Sequence, residues 1–113
     1  MPTKNEREPF SRLNVQEAKD MLANGAAVID VREPHEYAIA RLPNAKLIPL
    51  GQIASRAAEL DPSRATVLHC KSGLRSAQAI QALAKGGFNG KLINLKGGIL
   101  AWSKDVDPSV PRY

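Results

Sequence analysis

The chain has 113 residues, of which 43% are hydrophobic and 24% are charged, a composition typical of one small globular domain. No apolar run approaches the ~20 residues that a membrane-spanning helix needs, and residues 1–10 are too polar for a secretory signal. A single cysteine excludes an internal disulfide and, if reactive, favours a reducing compartment. We therefore expect a cytoplasmic protein that does not contact a membrane.

The net charge of +5 is compatible with nucleic-acid binding, but its distribution argues against it. The 16 basic residues are interleaved with 11 acidic ones, and aromatic residues make up only 4% of the chain. We expect no nucleic-acid partner and a general attraction to small anions or acidic proteins.

Both ends of the chain differ in composition from its centre. Residues 1–9 are polar and highly charged, which predicts a flexible N-terminal segment before a domain over residues 10–104. Residues 105–113 contain two prolines and are predicted to form a C-terminal tail. At the start of the domain, Asn14 and Glu17 have the spacing of a capping box, and Asn24-Gly25 would end the helix that they begin.

Beyond this helix, short apolar runs alternate with segments of helical periodicity. Strands are predicted at residues 26–31, 46–48, 65–69 and 91–95. Helices are predicted at residues 33–40, 52–60 and 76–85, with a last helix that follows Gly97-Gly98 and carries Trp102. This alternation predicts an α/β fold, a central and mainly parallel sheet flanked by helices on both faces.

The only cysteine, Cys70, lies between a predicted buried strand and a predicted helix N-terminus. Gly73 allows the intervening turn to adopt backbone angles at which successive N–H groups converge. The helix N-terminus adds unsatisfied donors, and Lys71 and Arg75 add two positive charges. These features favour ionisation of the thiol, so Cys70 is the candidate nucleophile.

A second polar cluster follows the strand at residues 26–31. Asp30, Arg32 and Glu33 should lie near the Cys70 turn, because the carboxyl ends of parallel strands share one edge of the sheet. They are expected to support the turn by holding neighbouring loops; the alternative is that Arg32 adds positive potential at the thiolate. His35 is expected to be exposed and His69 to be structural. No metal cluster and no cofactor site is predicted.

The Cys70 turn also resembles the active-site loop of rhodanese-like sulfurtransferases. More narrowly, it is similar to the C-terminal rhodanese domain of adenylyltransferase–sulfurtransferases that serve molybdopterin and thiamine sulfur carriers. Matching blocks at residues 29–37, 42–50 and 95–102 occur in the same order, so the resemblance covers roughly residues 11–104.

This resemblance implies a single rhodanese-like domain and a catalytic cycle that passes through a persulfide on Cys70. The substrate and the persulfide would be bound by the residues that follow it in the loop: Lys71, Ser72, Gly73, Leu74, Arg75 and Ser76. The expected donor is a small anion such as thiosulfate or the persulfide of a cysteine desulfurase. Expected acceptors include a small thiophile or a ubiquitin-like sulfur carrier.

The sequence leaves two alternative functions open. A thiol phosphatase or arsenate reductase also uses a thiolate in a cradle of N–H groups. Loops of that kind carry five residues between cysteine and arginine, whereas four separate Cys70 from Arg75, which suits a smaller pocket. The other alternative is a non-catalytic rhodanese-like binding or regulatory module, although such a module would not require Cys70.

Overall fold

The fold is built on a five-stranded parallel sheet. The computed structural model describes residues 11–112, with strand order β1-β5-β4-β2-β3. The strands are β1 (Ser11–Leu13), β2 (Ala27–Asp30), β3 (Lys46–Leu47), β4 (Thr66–His69) and β5 (Leu92–Leu95). Every paired neighbour runs parallel, so the carboxyl ends of β2, β4 and β5 meet at one edge.

Within residues 11–112, four α-helices cover the two faces of this sheet. They are α1 (Val15–Ala23), α2 (Pro34–Ile39), α3 (Leu74–Lys85) and α4 (Gly98–Asp105). Buried side chains of α3 and of residues 50–60 form one apolar cluster with the sheet, and those of α1 and α4 form a second. The predicted α/β class, parallel sheet and two-sided helical cover are confirmed.

The first helix forms for the reason that its sequence suggests. The Asn14 side chain accepts the Glu17 N–H at 2.9 Å, and the Glu17 carboxylate accepts the Asn14 N–H at 3.3 Å. This reciprocal cap satisfies two of the donors that a helix leaves without partners at its N-terminus. Val15 and Ala18 are buried, and the helix ends at Asn24, as expected.

The helix predicted at residues 52–60 is wrong. The chain instead forms two short 3₁₀ turns, Leu50–Gln52 and Ala57–Glu59, with one α-type hydrogen bond from the Arg56 N–H to the Gln52 carbonyl between them. Ile53 and Leu60 are nevertheless buried as the periodicity required. A segment this short is marginal as a helix, so packing of its apolar side chains decides the backbone path.

The segment after α4, expected to be a tail, packs against the domain. Val110 is buried, and its carbonyl accepts the Ser103 hydroxyl. At the other end, the expected flexible segment at residues 1–9 lies outside the described residues, as do Phe10 and the final residue. No helix within residues 11–112 is long and apolar enough to cross a membrane.

Candidate active site

The Cys70 turn lies at the carboxyl edge of the central strand β4. All four residues of β4 are buried, and Cys70, which follows directly, is 1% exposed. The chain then reverses through Gly73, whose φ of 107° lies in the left-handed region that favours glycine. Gly73 is the N-cap of α3, so the cysteine sulfur faces the beginning of that helix.

Hydrogen bonds converge on the sulfur of Cys70. The Gly73 N–H donates to Sγ at 3.1 Å, and the Ser76 Oγ lies 3.6 Å from Sγ. Burial raises the pKa of the Cys70 thiol, but the Ser76 hydroxyl and the N–H groups of Ser76, Gly73 and Ser72 outweigh it, so the pKa lies below its usual value. The geometry therefore favours the thiolate, which is the nucleophilic form.

The cause of this pKa shift differs in emphasis from the sequence-based expectation, which gave weight to the positive charges of Lys71 and Arg75. In the structure, the groups that lower the Cys70 pKa most are hydrogen-bond donors of the loop and of the first turn of α3. The Arg75 guanidinium instead binds the Glu36 carboxylate through both outer nitrogens, at 2.6 and 2.8 Å.

Asn94 of β5 fixes the shape of the loop, a role that was not expected from the sequence. Its Oδ1 accepts the Ser76 hydroxyl at 2.6 Å, and its Nδ2 donates to the Gly73 carbonyl at 3.1 Å. Asn94 and Ser76 are both buried. The available signal was a single amide in an otherwise apolar strand, since a buried polar side chain requires partners.

The N-terminus of α4 supports the loop from behind. The Ile99 N–H donates to the Cys70 carbonyl at 2.9 Å, and the Leu100 N–H donates to the Lys71 carbonyl at 3.3 Å. Gly98 makes this approach possible, because a Cβ atom there would overlap the Lys71 oxygen and lie 2.5 Å from the Cys70 oxygen. The backbone at Gly98 therefore lies directly against the loop.

Comparison with known proteins assigns the chain to a family. A sequence model described as "Rhodanese-like domain" matches residues 14–105, which include the whole Cys70 loop. The chain belongs to the rhodanese-like domain family.

Sulfurtransferases are among the relatives of this rhodanese-like domain. It is 41% identical over 107 residues to the probable adenylyltransferase/sulfurtransferase MoeZ of Mycobacterium tuberculosis, an alignment that covers 91% of this chain and 27% of that protein. It is 39% identical over 83 residues to a sulfurtransferase of Allochromatium vinosum, covering 74% of this chain and 77% of that one. The chain therefore spans only about a quarter of the mycobacterial relative and most of the second.

Solved structures support the same assignment. The rhodanese-like domain protein of Staphylococcus aureus superposes with a TM-score of 0.76 at 26% identity, covering 92% of this chain and 99% of that chain. The expected resemblance to rhodanese-like proteins, including the adenylyltransferase–sulfurtransferases, is confirmed.

The predicted supporting residues of this rhodanese-like domain occupy two environments. Asp30 and Arg32 are fully buried, and the guanidinium binds the carboxylate through Nε at 2.9 Å and Nη2 at 2.7 Å. Arg32 Nη2 also donates to the Ala40 carbonyl at the end of α2. Glu33 is exposed and is the N-cap of α2. The pair therefore holds the segment that carries α2, and the support that these residues were expected to give the Cys70 turn stays a prediction.

The two histidines differ in environment. His35 is exposed, whereas His69 is fully buried on the strand that leads to Cys70. The His69 Nε2 lies 3.7 Å from the Asp30 carboxylate, beyond hydrogen-bond distance, and neither ring nitrogen has a hydrogen-bond partner among residues 11–112. Burial lowers the pKa of His69 to about 4, so the ring is neutral at pH 7.

An open cleft of about 290 Å³ adjoins the Cys70 loop. Its lining combines loop residues with the β5–α4 connection: Ser72, Gly73, Leu74, Ala77, Asn94, Lys96 and Gly97. Leu74 is 70% exposed at this rim, an unusual exposure for a large apolar side chain. Within residues 11–112, no group of three or more His, Cys, Asp or Glu side chains is placed to hold a metal ion.

Proposed function

We propose that the protein is a sulfurtransferase that carries a sulfane sulfur as a persulfide on Cys70. The thiolate attacks the terminal sulfur of thiosulfate or of a persulfide donor. With thiosulfate, a new bond forms between the two sulfur atoms, the donor's S–S bond breaks, and sulfite leaves with the electron pair. The product is a Cys70 persulfide anion, so charge and atoms balance.

The observation that carries this proposal is the convergence of donors on Cys70 Sγ. The Gly73 N–H at 3.1 Å and the neighbouring Ser72 and Ser76 groups stabilise an anion at this point, whether it is a thiolate or a terminal persulfide sulfur. Sulfurtransferases among the relatives support the same chemistry. Of the loop residues, Lys71, Leu74 and Arg75 are proposed to form the surface that meets the donor.

Access to the sulfur limits the kind of substrate. Because Cys70 is 1% exposed, a bulky donor group cannot approach Sγ directly. A small anion or an extended protein segment fits this requirement. We propose that the acceptor is a small thiophile or the activated carboxyl terminus of a ubiquitin-like sulfur carrier, with thiosulfate or a cysteine desulfurase persulfide as donor. A reducing cytoplasm would keep Cys70 reduced between turnovers.

The proposal is tested by intact-protein mass spectrometry. The protein is mixed with thiosulfate or with glutathione persulfide, with and without a reductant, in parallel with Cys70→Ser. We expect the unmodified chain to gain one sulfur atom, the reductant or cyanide to remove it, and the variant to gain none. Because the chain has one cysteine, the site of addition is unambiguous.

The contrary result would be no sulfur gain from either donor, together with alkylation of Cys70 at neutral pH no faster than that of an ordinary thiol. That outcome would overturn the sulfurtransferase proposal and favour a non-catalytic binding or regulatory module.

A further inference from the structure

The contact between Arg75 and Glu36 joins the Cys70 loop to α2. Both Glu36 oxygens accept from the guanidinium, at 2.6 and 2.8 Å, and this bidentate geometry is the strongest form of an arginine–carboxylate pair. The Arg75 side chain is 31% exposed and the Glu36 side chain 10% exposed, so the pair lies at the protein surface with the carboxylate on its inner side.

The position of Glu36 is fixed independently of Arg75. Its Oε1 also accepts the Glu33 N–H at 3.0 Å, at the start of α2. The Ala40 carbonyl, at the other end of that helix, is bound by Arg32, whose ion pair with Asp30 is fully buried. The carboxylate is therefore presented to Arg75 by a helix that is anchored in the core.

Arg75 belongs to the first turn of α3, next in sequence to a residue that contacts the reacting sulfur. The residue before the helix, Gly73, and the residue after Arg75, Ser76, both contact Cys70 Sγ. An unpaired guanidinium at this position would attract a dianionic donor toward the loop. With Glu36 bound, the two side chains carry no net charge, so this attraction is largely cancelled.

We propose that Glu36 is a specificity-determining positioning residue that acts through Arg75 to disfavour dianionic donors. The inference rests on the proposed sulfurtransferase function and names the donor class: persulfides of thiols, rather than oxyanions such as thiosulfate. In the favoured step, the Cys70 thiolate attacks the outer sulfur of a neutral R–S–SH donor. A new S–S bond forms, the donor's S–S bond breaks, R–S⁻ leaves with the electron pair, and the proton stays on the transferred sulfur.

The experiment compares the unmodified protein with Glu36→Gln, which removes the charge and keeps the side-chain length. In steady-state assays, we expect the KM for thiosulfate to fall by about three- to tenfold. The kcat and the kinetics with cysteine persulfide, which has no net charge in its R–S–SH form, should change less than about twofold. A merely structural role would alter kcat and both donors together.

A second readout does not depend on sulfur transfer. Iodoacetate and iodoacetamide alkylate the same sulfur and differ in charge. We expect the ratio of their rate constants, iodoacetate over iodoacetamide, to rise by about two- to fivefold in Glu36→Gln. If the unmodified protein takes sulfur from no donor, the sulfurtransferase proposal fails, while this ratio still decides whether Glu36 controls the potential at Cys70.

Glu59→Gln is the matched control. Glu59 also pairs with an arginine, through Arg56 Nε at 2.6 Å, but it lines a cavity with the first residues of β2 and β4 at the opposite edge of the sheet. Glu59→Gln removes the same charge as Glu36→Gln, so neither the KM for thiosulfate nor the alkylation ratio should change by more than a small factor.

Arg75→Gln should change the alkylation ratio in the opposite direction. It leaves the Glu36 charge near the site, so the alkylation ratio should fall, and adding Glu36→Gln should then restore it. If Glu36→Gln does not fold, as judged by thermal denaturation, Arg75→Gln decides alone. An unchanged ratio in the folded variants, or an equal change in Glu59→Gln, would overturn the inference.

Discussion

The hydroxyl of Ser76 has one proton and two neighbours that can accept it. In the structure it donates to Asn94 Oδ1 at 2.6 Å, while Cys70 Sγ lies 3.6 Å from the same oxygen. With a neutral thiol, the S–H can donate to the serine oxygen in a chain that ends at Asn94. With a thiolate, the serine proton must turn toward sulfur and release Asn94, so ionisation of Cys70 is coupled to the β5 amide.

Ser76→Ala removes this donor and is expected to raise the pKa of Cys70. The hydrogen bond from Ser76 to the Cys70 thiolate is worth only about 1 kcal/mol more than the neutral bond to Asn94 that it replaces. Alkylation of the variant by iodoacetamide at pH 7 should therefore slow by a few-fold, at most about tenfold. The measurement is the alkylation rate as a function of pH. Ser72→Ala is the control, because Ser72 lowers the pKa through its backbone N–H, which alanine retains. A pH profile that is unchanged or shifted downward in Ser76→Ala would show that the serine proton stays with Asn94.

At the residue scale, the sequence predicts what is local and misses what is distant. The position of Cys70 between a buried strand and a helix N-terminus follows from a single stretch of chain. Glu36 and Asn94 contact the loop from 39 and 18 residues away, and no spacing rule connects them to it. Their partners depend on the order of β2, β4 and β5 across the sheet, which is a tertiary property.

At the scale of elements, the junction between α4 and the Cys70 loop depends on one glycine. Gly98 has a φ of 61°, and the backbone oxygens of Cys70 and Lys71 occupy the space of its absent Cβ. An alanine at this position combines backbone strain with overlap against main-chain atoms that cannot rotate away.

Gly98→Ala is therefore expected to lower the free energy of unfolding by about 2–4 kcal/mol and to slow sulfur uptake, because α4 must move away from the loop. Gly25→Ala separates the cost of backbone strain from the cost of overlap with main-chain atoms. Gly25 has a φ of 96°, and no atom of residues 11–112 lies within 4 Å of the position that a Cβ would occupy, so this variant should lose only about 1 kcal/mol and no activity. Urea denaturation and persulfide loading give the two readouts. Equal losses of stability and of persulfide loading in the two variants would contradict the close contact between Gly98 and the Cys70 loop.

Two elements depend on tertiary contacts: strand β1, which was not predicted from the sequence, and residues 52–60, where the predicted helix does not form. Strand β1 spans three residues and exists because β5 offers it a parallel edge, with Ser11 opposite Ile93. Residues 52–60 carry helical periodicity, yet the Leu50 N–H is bound by the Val31 carbonyl and Leu60 must lead back into β4. Two 3₁₀ turns allow the segment to meet both of these constraints, so tertiary contacts override the local preference for an α-helix.

At the scale of the whole molecule, polar groups are buried where the sheet meets the loop. Asp30 and His69 are register partners on β2 and β4, and Arg32 completes the cluster. The buried ion pair satisfies the Asp30 carboxylate and the Arg32 guanidinium, whereas the neutral His69 ring has no hydrogen-bond partner for either nitrogen within the described part of the chain. Folding therefore places an uncharged imidazole where a charged one would be costly.

The consequence is a loss of stability in mild acid. The pKa of His69 falls from its usual 6.5 to about 4 on folding, chiefly because of burial, with opposing effects from Asp30 and Arg32. Between these two values the unfolded chain binds more protons than the folded one, so the free energy of unfolding decreases as the pH falls from 6.5 to 4. The largest loss from this one group is about 3 kcal/mol.

His69→Gln should flatten this part of the profile, whatever its effect on stability at pH 7. Urea denaturation of the unmodified protein and of the variant at several pH values between about 4 and 7 measures the difference in slope. His35→Gln is the control, because His35 is exposed and its removal should leave the slope unchanged. Parallel profiles for the unmodified protein and His69→Gln would mean that His69 is protonated equally in the folded and unfolded chains, against the burial that the structure assigns to it.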